Sequence, residues 1–201
     1  MGLKEEILLA KEALLKGEVV AFPTETVMGL GVVFNNYQAY SLLNKIKERP
    51  EDKPYTLMLK DKSEMSKYGI IDEGTQRVID KFIPGSLTIL VPLKKGSVPS
   101  YVTHDSDVIG MRVPTNIEAL ELLKAVNLPL LVPSANKSGS KPAVNSKEVK
   151  EIFKNEVKNI ISGEAKGEVP STIVSLLNGE VKVVRQGPIS EEEIKKVYYL
   201  K

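Results

Sequence analysis

Short apolar runs bounded by Pro, Gly and Asn alternate along this chain with stretches whose apolar residues recur at helical spacing. That alternation constrains the fold most, and it predicts an α/β architecture. Leu3, Ile7, Leu8, Leu14 and Leu15 share a helical face that stops at Gly17, and Val19 to Phe22 reads as a buried strand ending at Pro23. Asn35 or Asn36 caps a helix carrying Ala39, Leu42, Leu43 and Ile46. Tyr55 to Leu59, Leu87 to Leu93, Val108 to Val113 and Pro129 to Val132 read as strands. Helices are expected near Gly74 to Phe82, after Asn116 (Leu120, Leu122, Leu123, Val126), and from Asn145 or Ser146 to about Phe153. Asn178-Gly179, between Thr172 to Leu177 and Glu180 to Arg185, is a type I′ hairpin signal. An antiparallel hairpin inside an alternating pattern argues for a mixed sheet. Ser190 and Glu193 have capping-box spacing before a last helix. No repeat or linker-like shift divides the chain, so one domain over residues 1–201 is expected.

Composition narrows the function classes. The 201 residues are 42% hydrophobic, enough for a sizeable core, and the net charge is only +2, so any polyanion site must be local. The absence of cysteine excludes disulfides, cysteine-type zinc sites and a cysteine nucleophile. Met1 to Lys16 has no signal-peptide core, and no run reaches the ~18 apolar residues of a membrane span. A cytoplasmic location with no membrane contact is expected.

Several polar segments are candidates for chemistry. In Lys47-Glu48-Arg49-Pro50-Glu51-Asp52-Lys53-Pro54, two prolines stiffen a loop holding three cations, which suits nucleotide phosphates, although such clusters are commonly solvated surface. Pro23-Thr24-Glu25-Thr26-Val27-Met28-Gly29-Leu30-Gly31 follows a strand, where α/β sheets place ligands; an ordinary tight turn is the plainer alternative. Pro133-Ser134-Ala135-Asn136-Lys137-Ser138-Gly139 likewise offers hydroxyls and N–H groups to a phosphate, without P-loop spacing. Arg112 and Arg185 end apolar strands, where each is either an anion ligand or half of an ion pair. His104, the single histidine, lies beside Asp105 and Asp107 but lacks a nucleophile-elbow or EF-hand pattern.

In order, seven pieces resemble the YrdC family of threonylcarbamoyl-AMP synthases (TsaC type). They are the 23–31 segment, Lys47-x-Arg49-Pro50-x-x-Lys53-Pro54, Pro84-Gly85-Ser86-Leu87-Thr88, Arg112-Val113-Pro114, Pro133-Ser134-Ala135-Asn136-x-Ser138-Gly139, Ser171-Thr172-Ile173-Val174 and Arg185-Gln186-Gly187-x-Ile189. The resemblance spans about residues 7 to 190. It implies an open, twisted mixed sheet with flanking helices and a concave, basic active-site face. The implied reaction converts L-threonine, bicarbonate (or CO2) and ATP into threonylcarbamoyl-adenylate and diphosphate. That is the first step toward N6-threonylcarbamoyladenosine at position 37 of tRNAs reading codons that start with A.

The resemblance assigns Lys47 and Arg49 catalytic roles. It assigns ATP contacts to Lys47, Arg49, Lys53, Val108, Asn136, Ser138, Val144 and Arg185, and threonine contacts to Thr26, Met58, Arg112, Ser134 and Ser171. Arg112 suits the substrate carboxylate bidentately. Magnesium is expected mainly on the ATP phosphates, with no metal site on the protein. A separate transferase is the implied recipient of the adenylate. Three positions depart from the family pattern: Met28 replaces a usual tyrosine, Ser175 a usual aspartate, and Met58 a histidine of longer relatives. The chain ends about fifteen residues after Arg185, which suits the single-domain type. The competing reading is a module that contacts tRNA or double-stranded RNA without making adenylate. A carbamoyl-transfer module of hydrogenase maturation is disfavoured, because it should bring cysteine-rich zinc segments.

Overall fold

The computed structural model describes residues 2–50 and 53–200; Glu51 and Asp52 of the proline-locked loop lie outside the described residues. The strands are β1 Val20–Phe22, β2 Gly29–Val33, β3 Leu57–Met58, β4 Leu87–Pro92, β5 Val108–Arg112, β6 Leu130–Leu131, β7 Asn159–Ile160, β8 Thr172–Leu177 and β9 Glu180–Arg185. The helices are α1 Leu3–Leu15, α2 Tyr37–Lys47, α3 Met65–Tyr68, α4 Glu73–Phe82, α5 Ser100–Thr103, α6 Ile117–Val126, α7 Ser146–Phe153 and α8 Glu191–Tyr198. The strands form one open mixed sheet in the order β7-β1-β2-β6-β3-β5-β4-β8-β9. Three pairs are parallel (β1 with β7, β3 with β5, β4 with β8) and the other five antiparallel.

Local signals hold where they rest on capping chemistry. Asn36, Asn116 and Asn145 accept from the backbone N–H three residues on, and Ser190 with Glu193 forms the full capping box. Asn178 and Gly179 both have positive φ (56° and 75°), as a type I′ turn requires. The first helix differs from its expected face. Ile7, Ala10, Ala13 and Leu14 are buried, whereas Leu8 and Leu15 are more than half exposed. Ala10 and Ala13 let α1 lie close to α6, Ile7 and Leu14 fill the rest of that seam, and Leu8 and Leu15 turn to solvent. Gly29 and Gly31, expected in a loop, belong to β2. Neither has positive φ; an added Cβ would come within 2.8 Å of Val132 at one and of Phe22 at the other, so glycine serves close approach.

Two cores explain where the site opens. On one face Leu57, Ile89, Met111 and Val174 pack with α2, α4, α7 and α8. On the other, α1 and α6 pack on Phe22 of β1, Val33 of β2, Leu130 of β6 and the following Val132, together with Met58 of β3. That second layer stops short of β5, β4, β8 and β9. Alternation along these strands therefore turns Thr88, Arg112 and Ile173 toward a face that α1 and α6 leave open.

Candidate active site

The 23–28 segment and the 133–136 segment are held side by side by backbone bonds. Ala135 N donates to Met28 O (2.7 Å), Met28 N to Ala143 O (2.9 Å), and Ala143 N to Ala135 O (2.9 Å). Between them and the uncovered strands lies a cavity of about 150 Å³ lined by Thr26, Arg49, Met58, Thr88, Arg112, Ser134, Ser171 and Arg185, among others.

Arg112, at the end of β5, is 6% exposed. Its Nη2 donates to Glu25 Oε1 (2.6 Å) and Thr26 Oγ1 (3.0 Å), and its Nε to Gly85 O (3.2 Å). Glu25 Oε2 in turn accepts from the backbone N–H groups of Thr115 and Asn116. Of the two readings of this arginine, the structure shows the ion pair, and the same side chain also lines the cavity. Nη1 is thus the guanidinium nitrogen that no protein acceptor occupies among the described residues.

Arg185 approaches from β9. Its Nε and Nη2 both donate to Ser171 O (3.1 and 2.8 Å), and Nη2 also reaches Ser171 Oγ (3.2 Å). Ser171 Oγ lies 2.9 Å from Thr88 Oγ1. Burial, and then repulsion from the Arg112 guanidinium, hold the Arg185 pKa below the ordinary guanidinium value. The guanidiniums of Arg49, Arg112 and Arg185 thus line one small cavity, and Glu25 is ion-paired with Arg112. The cavity carries excess positive charge and suits an anion.

Lys47 is buried at the C-terminal end of α2. Its side chain is fully enclosed, and Nζ donates to Ser134 O (2.6 Å), Asn136 O (2.7 Å) and Asn136 Oδ1 (3.3 Å). Burial, with repulsion from Arg49 and Lys137, pushes its pKa down to about 7. The Lys47 carbonyl accepts from Ser138 N (2.9 Å). Asn136 completes the knot by accepting from Ser134 Oγ (2.6 Å) and donating to Lys137 O and Ser140 O. Lys47, Asn136 and Ser138 therefore brace the loop that presents Ser134. Arg49 does face the cavity; its guanidinium sits 4.6 Å over the Tyr55 ring and donates to Pro54 O and Lys53 O. Lys53 is exposed, one residue before Pro54 of the cavity wall.

The cavity wall gathers Thr26, Arg49, Met58, Arg112, Ser134, Ser171 and Arg185, and does not gather Lys47, Lys53, Val108, Asn136, Ser138 or Val144. Val108 begins β5, at the far end from Arg112. Val144 donates its N–H to Glu148 Oε2 and accepts from Ala165 N. Met28 lies fully in the core, so its departure from the family pattern does not reach the cavity. Thr88 ends the Pro84-Gly85-Ser86-Leu87-Thr88 motif but carried no site assignment from sequence, and the structure places it on the cavity wall. His104 bonds Tyr40 Oη (3.2 Å), away from the cavity, and no three acidic or histidine side chains converge as a metal site among the described residues.

An open mixed sheet with paired guanidiniums on its uncovered face defines an α/β protein built to hold an anionic ligand. A family model described as telomere recombination (Sua5, YciO and YrdC) matches residues 12–187. The chain belongs to the Sua5/YciO/YrdC family. It is 32% identical over 194 residues to the threonylcarbamoyl-AMP synthase of Bacillus subtilis, covering 96% of this chain and 56% of that protein. The crystal structure of Sua5 from Pyrococcus abyssi complexed with L-threonine superposes with a TM-score of 0.91 at 31% identity, covering 98% of this chain and 58% of that one. The crystal structure of Escherichia coli YciO gives a TM-score of 0.86 at 29% identity, covering 96% of this chain and 94% of that one. The chain thus spans a little over half the length of the first two. No helix among the described residues is long and apolar enough to cross a membrane.

Proposed function

We propose that this chain is an L-threonylcarbamoyl-adenylate synthase. The observation that carries the reading is the convergence of Arg112 and Arg185 with the hydroxyls of Thr26, Thr88, Ser134 and Ser171 on one cavity. Similarity to a protein crystallised with L-threonine supports it. Arg112 Nη1 takes the threonine carboxylate, and the surrounding hydroxyls take its ammonium and hydroxyl groups. Met58, 2% exposed beside Arg112 in the strand register, forms the apolar wall.

The threonine nitrogen, once deprotonated, adds to CO2 from bicarbonate and releases a proton, giving a carbamate. A carbamate oxygen then attacks the α-phosphorus of ATP as the bond to diphosphate breaks. No side chain need become covalently attached, so catalysis is positioning and charge stabilisation. Arg49 at the cavity wall and the exposed Lys53 beside Pro54 face the triphosphate, whose magnesium would arrive with the nucleotide. Lys47 is a positioning residue that sets Ser134. The product is a reactive mixed anhydride, which calls for a following transferase that passes the threonylcarbamoyl group to an amine such as the N6 of a tRNA adenosine.

The test is incubation with ATP, magnesium and bicarbonate, with and without L-threonine, reading diphosphate and adenylate by mass. Threonine- and bicarbonate-dependent adenylate is expected. ATP binding without that product would overturn the substrate assignment. Salt-sensitive binding of duplex RNA with no ATP turnover would favour the RNA-module reading.

A further inference from the structure

The tertiary fold assembles a second concavity that the reaction does not use. Helix α2 presents Tyr37, Ser41, Asn44 and Lys45 on one face at three- and four-residue spacing. Opposite stand Tyr101 of α5 and His104, whose left-handed backbone (φ 52°) caps that helix. The groove between them has a volume of about 460 Å³, three times that of the cationic cavity. Its walls are aromatic. Tyr37 and Tyr101 meet edge to face at 5.2 Å, and Tyr101 lies 4.9 Å from Tyr40. The hydroxyl of Tyr101 is pinned to Phe34 O (3.0 Å), whereas Tyr37 is 62% exposed and keeps its outer surface free.

Polar groups surround this aromatic wall. Asn44 Oδ1 accepts from Tyr55 Oη (2.6 Å), and no acceptor for its amide nitrogen exists among the described residues. Lys45 is exposed and forms no ion pair among the described residues. Glu48, also on the rim, is offset by Lys137 at 3.3 Å. Arg49 lines both this groove and the cationic cavity.

We propose that this groove seats a nucleotide unit, its base stacked on Tyr37 and its phosphate on Lys45 and Arg49. A flat ring needs an exposed aromatic face, a base edge needs a donor such as Asn44 Nδ2, and a phosphate needs a neighbouring cation; the groove supplies all three. The unit is either a free mononucleotide or one nucleotide of a single strand.

Fluorescence anisotropy with a labelled 12-nucleotide single-stranded RNA, competed by AMP and by a duplex of equal length, tests this. Saturable binding is expected, weakened about 5- to 150-fold by Tyr37→Ala, the range that stacking of one base implies. Lys45→Ala should lower the slope of log affinity against log salt by about 0.7. Full competition by AMP identifies a mononucleotide site, and failure of AMP to compete identifies a strand site; both support the proposal when they depend on Tyr37. Binding unchanged by Tyr37→Ala in a folded variant, duplex binding alone, or no binding of either probe overturns it. Tyr37→Ala should leave adenylate formation intact, so the two readings fail separately.

Discussion

Burying an ammonium is expensive, and Lys47 meets that cost with three carbonyl oxygens. Its folded pKa of about 7 lies below the ordinary 10.5, so between those values the folded chain binds fewer protons than the unfolded one. Stability should therefore rise as pH climbs from 7 toward 10. Lys47→Met removes this contribution, and urea unfolding at pH 7 and pH 9 should show a smaller gain than in the unsubstituted chain. Arg112 gives a second residue-level prediction. Arg112→Ala strands the Glu25 carboxylate, which is nearly buried, and should destabilise the fold by about 3 kcal/mol, as broken buried pairs do. Adding Glu25→Gln should recover part of that loss in denaturant titrations. Calorimetry should show Arg112→Ala weakening threonine more than ATP, and the reverse order would refute its assignment. Sequence could reveal that Lys47 and Arg112 are unusual cations, but not their partners, which lie some 87 positions away in the chain.

Among elements, the β8–β9 hairpin was the most legible, because its turn dihedrals favour Asn-Gly locally. Its consequence for the site was not. Val181 and Val183 belong to the helix-side core, and strict alternation would send Arg185 the same way. A register irregularity between Ile173 and Val174 instead sets Arg185 opposite Ile173, which lines the cavity. The extra residue re-aims the side chain, as bulges beside ligand sites do. Gly187 guards the same corner, because a Cβ there would meet Thr172 N at 2.3 Å and Pro170 O at 2.5 Å. Gly187→Ala should displace Ser171 with its Arg185 partner and lower adenylate formation at least tenfold, measured beside the unfolding midpoint. Ser190→Ala removes the α8 cap and should cost about 1 kcal/mol with turnover unchanged. β7 and the short helices α3 and α5 went unread, since two to four residues carry too little periodicity to stand out.

For the whole molecule, the site exists because one helical layer is incomplete. α1 and α6 cover β1, β2 and β6 and leave β5, β4, β8 and β9 to line a cavity. Ligand binding to the folded state alone stabilises it by mass action, so L-threonine at 100 times its Kd should add about 2.7 kcal/mol, visible as a raised Tm in scanning calorimetry. An amino acid without a hydroxyl should stabilise less at the same concentration. Equal shifts with alanine would remove the hydroxyl contacts from the proposal.

The sequence by itself determined the α/β alternation, the asparagine caps and the Asn178-Gly179 turn, because those depend on residues within a few positions of one another. The ordered motifs also pointed to the family. Tertiary structure alone decided that Lys47 braces a loop, that Arg112 is shared between Glu25 and a cavity, and that four tyrosines meet beside His104. Those outcomes depend on which distant segments become neighbours in the sheet, and local propensity carries no record of that pairing.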